Sequence, residues 1–152
     1  MASANAQSET SFVSLDDLLG GEPILPRTPH SPLEWVFLIR RGIPSAAVDA
    51  LTKLTRITQA ELAASLDIPE RTLARRKREG KLNSEESAKL VRLARAIARA
   101  EEVFEDLDRA VDWLRSVNPS LGGATPLSLL DTEIGAEALM DTLGRIEHGV
   151  FG

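Results

Sequence analysis

Apolar residues along this chain recur mostly at three- and four-residue steps, the spacing of amphipathic helices, so an all-α fold is expected. A first helix is predicted from Leu33 to Arg41, with Trp35, Val36, Leu38 and Ile39 apolar and Gly42 as its stop. Pro44 opens a second, where Val48, Leu51 and Leu54 recur at three-residue steps. Residues Thr58 to Gly80 read as two short helices joined by a tight turn. A long helix follows to about Asp106, its buried stripe formed by Leu90, Leu93, Ala94, Ile97, Ala98 and Phe104. A shorter helix, Asp108 to Ser116, carries Val111, Trp113 and Leu114. Asn118 to Gly123 combines Asn, Pro and Gly, which requires a structured turn. One more turn spans Leu127 to Asp131, and a last helix has Ile134, Ala138, Leu143 and Ile146 as its expected stripe. Gly144 inside that helix costs about 1 kcal/mol against alanine, which points to close packing or a distortion there.

The predicted boundaries have local chemistry behind them. Ser31 with Glu34, Thr58 with Glu61, and Asn83 with Glu86 have the spacing at which each side chain satisfies an unpaired N–H at the helix start. Thr125 and Thr132 are further N-caps. Pro32 and Pro69 suit first helical positions, where no N–H is needed, and Gly80 suits a helix end. Trp35 is expected to fill the core. Residues 1–30 are rich in Ser, Ala, Asn, Gln and Pro and read as a mobile arm. Within the arm Phe12, Leu15, Leu18 and Leu19 have near-helical spacing behind Ser14, so one docked turn or no structure are both open. His30 is expected at the surface.

Charge divides the chain further. The net charge of −5 is the sum of −3 over residues 1–52, +6 over 53–99 and −8 over 100–152. A basic middle beside an acidic end suggests a module that holds nucleic acid followed by one that meets protein. The boundary falls near Glu101, inside or just after a continuous helix, giving an arm at 1–30, one domain at 31–100 and a second at 101–152. Lys89, Arg92, Arg95 and Arg99 line another face of the long helix, either against a DNA backbone or simply in solvent.

The basic middle contains a candidate DNA-reading element. After the turn at Asp67-Ile68, the second helix of the hairpin carries Arg71, Thr72, Arg75, Arg76, Lys77 and Arg78 around a single apolar anchor, Leu73. Such a helix fits a major groove, where arginine donates two hydrogen bonds to guanine and lysine meets phosphate. Ala63, Ile68 and Leu73 fall where a helix-turn-helix places its small and apolar residues. Asp67 stands where glycine is common, and Arg76 where an apolar or aromatic residue is usually buried. A helical hairpin with a solvated basic face is the alternative. A short hairpin binds best in pairs, so a homodimer on an inverted repeat of operator DNA is expected.

No chemistry of catalysis is legible. There is no cysteine, the two histidines lie far apart in sequence, and no Gly-rich loop precedes a Lys-Ser/Thr pair. Glu147 and His148 are adjacent, so on a helix their side chains splay by about 100°, and a helix C-terminus favours histidine in any case. No metal, cofactor or enzyme activity is expected. Without a long apolar run or a secretory leader, no membrane association is expected, and a cytoplasmic location fits the lack of cysteine.

Several stretches together resemble a known family. Asn118-Pro119, Leu121-Gly122-Gly123, Thr125-Pro126-Leu127, Leu130-Asp131-Thr132, Gly135 and Gly144 to Val150 closely resemble the toxin-binding domain of Xre/MbcA/ParS-type antitoxins. Asp67 to Arg76 looks like the helix-turn-helix of the same proteins, so the resemblance covers roughly residues 33–152. It implies a helix-turn-helix core followed by a small helical toxin-binding domain, and a cytoplasmic antitoxin whose partner is a RES-domain toxin that depletes NAD. The antitoxin would block the toxin's active site and repress its own operon. Toxin contacts are then expected at Asn118, Pro119, Gly122, Gly123, Leu143, Ile146, Glu147, Val150 and Phe151. Val150 and Phe151 either fold back on the last helix or enter the toxin's cleft, with Glu147 available to toxin arginines. A stand-alone helix-turn-helix regulator whose acidic module only dimerises or senses a small molecule is the alternative.

Overall fold

A computed structural model describes residues 14–149. Among these residues the regular structure is eight α-helices: α1 Leu15–Leu18, α2 Pro32–Arg41, α3 Ala46–Thr55, α4 Gln59–Leu66, α5 Glu70–Glu79, α6 Ser84–Phe104, α7 Leu107–Arg115 and α8 Glu133–Glu147. Two 3₁₀ turns, Pro119–Leu121 and Pro126–Leu129, link α7 to α8. No strand occurs among the described residues, where only Pro44 with Lys81 and Asn118 with Ala124 form isolated bridges.

The caps form largely as the residue types dictate. Thr58 and Asn83 each accept the backbone N–H of the glutamate three residues on, and that glutamate accepts theirs in return. Ser31 accepts from the Glu34 N–H, but the Glu34 carboxylate takes the N–H of His30 rather than that of Ser31. Ser14 caps nothing through its side chain; its hydroxyl donates to the carboxylates of Asp16 and Asp17. Pro69 is the N-cap of α5 and not its first residue. Helix α3 begins two residues after Pro44, because the Ser45 N–H is drawn to the Gly80 carbonyl and Pro44 bridges Lys81. Leu54, expected in its stripe, faces solvent, and Thr55 is buried with Val48 and Leu51 instead.

Helix α6 is the axis of the molecule. Its buried residues include Leu90, Val91, Leu93, Ala94, Ala96, Ile97 and Ala100, which cover more than half of its circumference and not a single stripe. Helices α1, α2 and α4 pack on it from one side of the chain, α7 and α8 from the other. One contiguous core results, running in sequence from Leu18 to Leu143. Each fully buried leucine in it contributes about 1.5–3 kcal/mol. At the far end of α6, Glu105 takes a left-handed conformation (φ 58°) that turns the chain, and Phe104 stacks on Trp113 with ring centroids 5.7 Å apart. Trp35 packs half-buried against the core, in the role expected of it.

Of the two readings left open for the arm, the docked turn is the one found. Leu18, Leu19 and Leu25 are fully buried, so from Leu15 onward the segment is docked on the core and not mobile. The reason is local: α1 turns its leucines inward together, and the Gly20-Gly21 turn, with positive φ at both residues, returns Leu25 to the same cavity. Phe12 lies outside the described residues.

Candidate nucleic-acid interface and partner-binding surface

The DNA-reading candidate begins with its turn. Asp67 has φ 54° and ψ 49°, the left-handed region that Asp tolerates better than most non-glycine residues, which is why it can replace glycine here. Ile68, buried, then donates its N–H to Ala63 and locks the angle between α4 and α5.

At 100° per residue, Arg71, Arg75 and Arg78 fall within about 60° of one another on α5, with Thr72 at their edge and Leu73 turned the opposite way into the core. All three arginines are exposed. Arg75 approaches Glu79 only at 3.8 Å, and Arg71 and Arg78 have no ion-pair partner among the described residues. These three arginines and Thr72 remain candidates for contact with DNA.

Arg76 and Lys77 are engaged with neighbouring helices. Arg76 takes the usually apolar position by laying its stem against the protein while Glu86 receives its head, Nε to Oε1 at 2.7 Å and Nη2 to Oε2 at 3.2 Å. Glu79 adds a third contact at 2.9 Å, and only 18% of the Arg76 side chain and 10% of the Glu86 side chain reach solvent. Burial pushes the Glu86 carboxyl up, but hydrogen bonds from Arg76 and from the Asn83 N–H outweigh it and hold the group below the usual carboxylate range. The same pair raises Arg76 above its ordinary value. Arg76 therefore fastens α5 to α6. Lys77 points back to Asp49 (2.7 Å) and Gln59 (2.6 Å), fastening α5 to α3 and α4.

Three of the four cations in the basic stripe of α6, Lys89, Arg92 and Arg99, are paired within the chain. Arg92 donates to the Leu130 carbonyl (3.0 Å) and pairs with Glu133 (3.1 Å), and Arg99 grips Glu147 with both Nη atoms. The stripe is thus the seat of the acidic helix α8, and Lys89 closes on Glu85 and the Asp67 carbonyl. The hydrogen bond from Arg99 lowers the Glu147 carboxyl. Glu147, expected to meet a toxin arginine, already has one within its own chain. Arg95 is exposed and has no ion-pair partner among the described residues.

Another ion pair joins the two charge regions. Arg115, the last residue of α7, donates to both carboxylate oxygens of Glu61 (3.0 and 2.7 Å) and to the Arg56 carbonyl (2.7 Å). Those bonds, led by the Arg115 hydrogen bond, lower the Glu61 carboxyl. Glu61 also completes the cap of α4, so the acidic region holds the first helix of the hairpin at its start.

The partner-binding candidates fare unevenly. The Asn118 side chain accepts the Ser120 N–H, its backbone exchanges bonds with Ala124 and Gly123, and Gly122 and Gly123 take φ 70° and 83°. Asn118, Pro119, Gly122 and Gly123 thus build an exposed, self-contained turn and supply its shape. Leu143 is completely buried and belongs to the core, while Ile146 is half-buried beside it. Ile134 was expected in that stripe but is 79% exposed. The buried set is Leu139, Thr142 and Leu143, and at 100° per residue Ile134 lies about 140° from Leu139 and opposite Leu143. Ile134 and the exposed Val117, just before Asn118, are large apolar side chains of the acidic region that the sequence did not place at the partner surface. Val150 and Phe151 lie outside the described residues.

Gly144 was expected to mark close packing or a distortion, and a methyl group there would meet nothing within 4 Å, which leaves only the second. Gly144→Ala should raise stability by about 0.5–1 kcal/mol, read as a higher denaturation midpoint. No gain would mean the helix is strained there; a gain accompanied by loss of partner binding would mark Gly144 as a point of close approach.

Comparison with known proteins covers both regions. Residues 34–95 match the family described as the antitoxin Xre-like helix-turn-helix domain. Residues 99–149 match the antitoxin Xre/MbcA/ParS C-terminal toxin-binding domain. Among curated proteins, the chain is 36% identical over 115 residues to an Antitoxin Xre of Yersinia enterocolitica, covering 74% of this chain and 78% of that one. It is 33% identical over the same length and shares to an Antitoxin Xre of Photorhabdus laumondii. A Sphingobium protein named Prs ADP-ribosylating antitoxin is 24% identical over 131 residues, 80% of this chain and 82% of its own.

Proposed function

Since the chain belongs to the Xre/MbcA/ParS family of antitoxins, with an Xre-like helix-turn-helix ahead of the toxin-binding domain, we propose that it neutralises a RES-domain toxin that depletes NAD. It does so in the cytoplasm by covering the toxin's active site, and as a homodimer it represses its own operon by binding an inverted repeat through α5. The observation that carries this reading is that one relative named as an antitoxin aligns with both regions in one continuous match. The exposed Arg71, Arg75 and Arg78, of which only Arg75 approaches a carboxylate, support the DNA role. The toxin would meet the shaped turn at Asn118–Gly123, the exposed Val117 and Ile134, and the end of α8, with Val150 and Phe151 reaching into the cleft.

The test is expression of a RES-domain toxin encoded beside this gene, alone and with this chain. Growth arrest with falling NAD from the toxin alone, rescued by the full chain, is expected. A chain lacking residues 149–152 should keep its melting temperature and operator binding yet fail to preserve NAD. Full rescue by it would move the inhibitory contact to the Asn118–Gly123 turn, and no rescue by the intact chain would overturn the proposal. The name of the Sphingobium relative points to ADP-ribosyl transfer, so labelled ADP-ribose on cellular protein, measured in the same cells, separates a transferase partner from one that only consumes NAD.

A further inference from the structure

We propose that the outer face of α2 is the surface through which two copies of this chain pair, with their α2 helices antiparallel across a two-fold axis. This rests on the reading above that DNA is bound by a pair and supplies the contact that makes one. Leu33, Val36 and Phe37 are 59%, 37% and 47% exposed, half of the large apolar side chains found exposed among the described residues. With Arg40 they recur at three- and four-residue steps and fall within about 100° of arc, while Leu38 turns into the core. An apolar stripe on water is the part of a surface that association covers.

The charges beside the stripe say what covers it. Glu34 and Arg41 lie on the same flank, seven residues and about two turns apart. Arg40 and Arg41 have no ion-pair partner among the described residues, and the Glu34 carboxylate holds only the His30 N–H at 2.8 Å. A two-fold interface brings the same patch onto itself, so it must be complementary to its own image. Antiparallel helices place Glu34 of each copy against Arg41 of the other, with Val36 and Phe37 meeting near the axis. A parallel pair would put the two Glu34 residues on opposite flanks of the seam and bring neither to an Arg41. A groove of about 510 Å3 beside Phe37, walled by Pro29, Glu34, Arg40 and Arg41, gives the other copy's apolar side chains a seat.

The experiment follows the full chain by sedimentation without DNA. The intact protein should be a dimer. Glu34→Arg and Arg41→Glu should each weaken dimerisation by at least about tenfold, since each sets like charges together twice. An equimolar mixture of the two variants should dimerise again, because both cross-pairs are then opposite in sign. Thermal melts of each variant establish that loss of the dimer is not loss of the fold, and Phe37→Ser probes the stripe without changing charge. A monomeric intact protein, a dimer indifferent to all three changes, or variants that the mixture fails to rescue would each overturn the proposal. A monomer that captures an acidic peptide through Arg41 would also overturn it and assign the face to a different partner. The DNA reading stands or falls separately: a dimer that ignores the duplex upstream of its own gene defeats that reading alone, and a monomer that still binds half of that site defeats this one alone.

Discussion

Gly135→Ala is expected to destabilise the protein by about 3 kcal/mol, read as a lowered denaturation midpoint and loss of toxin neutralisation. Helix propensity by itself argues for the opposite sign, since alanine in a helix gains about 1 kcal/mol over glycine. Packing overrides it. Gly135 sits in the first turn of α8, capped by Thr132, and a methyl group there would stand 2.0 Å from the Leu129 carbonyl oxygen and 2.9 Å from its carbon. Both are backbone atoms of the preceding 3₁₀ turn, so no side-chain rotation relieves the contact. Relief requires α8 to draw away from that turn, which loosens Leu127 and Leu130 from the core and pulls Leu130 and Glu133 from Arg92. Gly144→Ala makes the same exchange nine residues later in the same helix, with open space around it, and serves as the control of opposite sign. Equal effects at the two glycines would refute the role given to the Leu129 contact.

Replacing Arg71 or Arg75 by alanine should each weaken specific operator binding by about 1–3 kcal/mol with little change in thermal stability. Both side chains are exposed on the free side of α5, so nothing in the fold depends on them beyond the loose approach of Arg75 to Glu79. Arg78, near the end of the helix, should act through phosphate, and Arg78→Ala should reduce the salt slope of binding by about one. Arg76→Ala should behave in the contrary manner. It leaves the carboxylate of Glu86 without its main partner, so the melting temperature falls while base preference is kept. An Arg71/Arg75 double variant that stays folded and binds its operator undiminished would take the reading face off α5, and an Arg76→Ala variant of full stability would undo the division within the cluster.

Much of this molecule follows from information within four residues of each position. The Thr58 and Asn83 caps, the Thr125 and Thr132 caps, the stop at Gly80 and the turn at Asn118 are contacts between near neighbours, so the sequence alone determines them. The family resemblance was likewise legible, because the toxin-binding stretch is a long ordered run of Asn, Pro, Gly and Thr at turn positions. Helix class needs only the period of the apolar residues, and it too was readable.

Tertiary structure decided what each charged side chain is for. On paper Arg71, Arg76 and Lys77 belong to one basic cluster, with Arg76 marked only by standing where an apolar residue is usually buried. Only the arrival of Glu86 from α6 and of Asp49 from α3 ties Arg76 and Lys77 to neighbouring helices. The basic middle of the chain and the acidic end after it looked like two modules that meet different partners, and Arg92–Glu133, Arg99–Glu147 and Arg115–Glu61 join them within one chain. Those pairs are separated by 41, 48 and 54 residues. Ile134 and Leu54 were misplaced for a related reason: a three- or four-residue step shows that a side can be apolar, but which side is dry depends on where the neighbouring helices land. Coulomb attraction and burial act across space and not along sequence, so partners that far apart are fixed only when the core closes around α6.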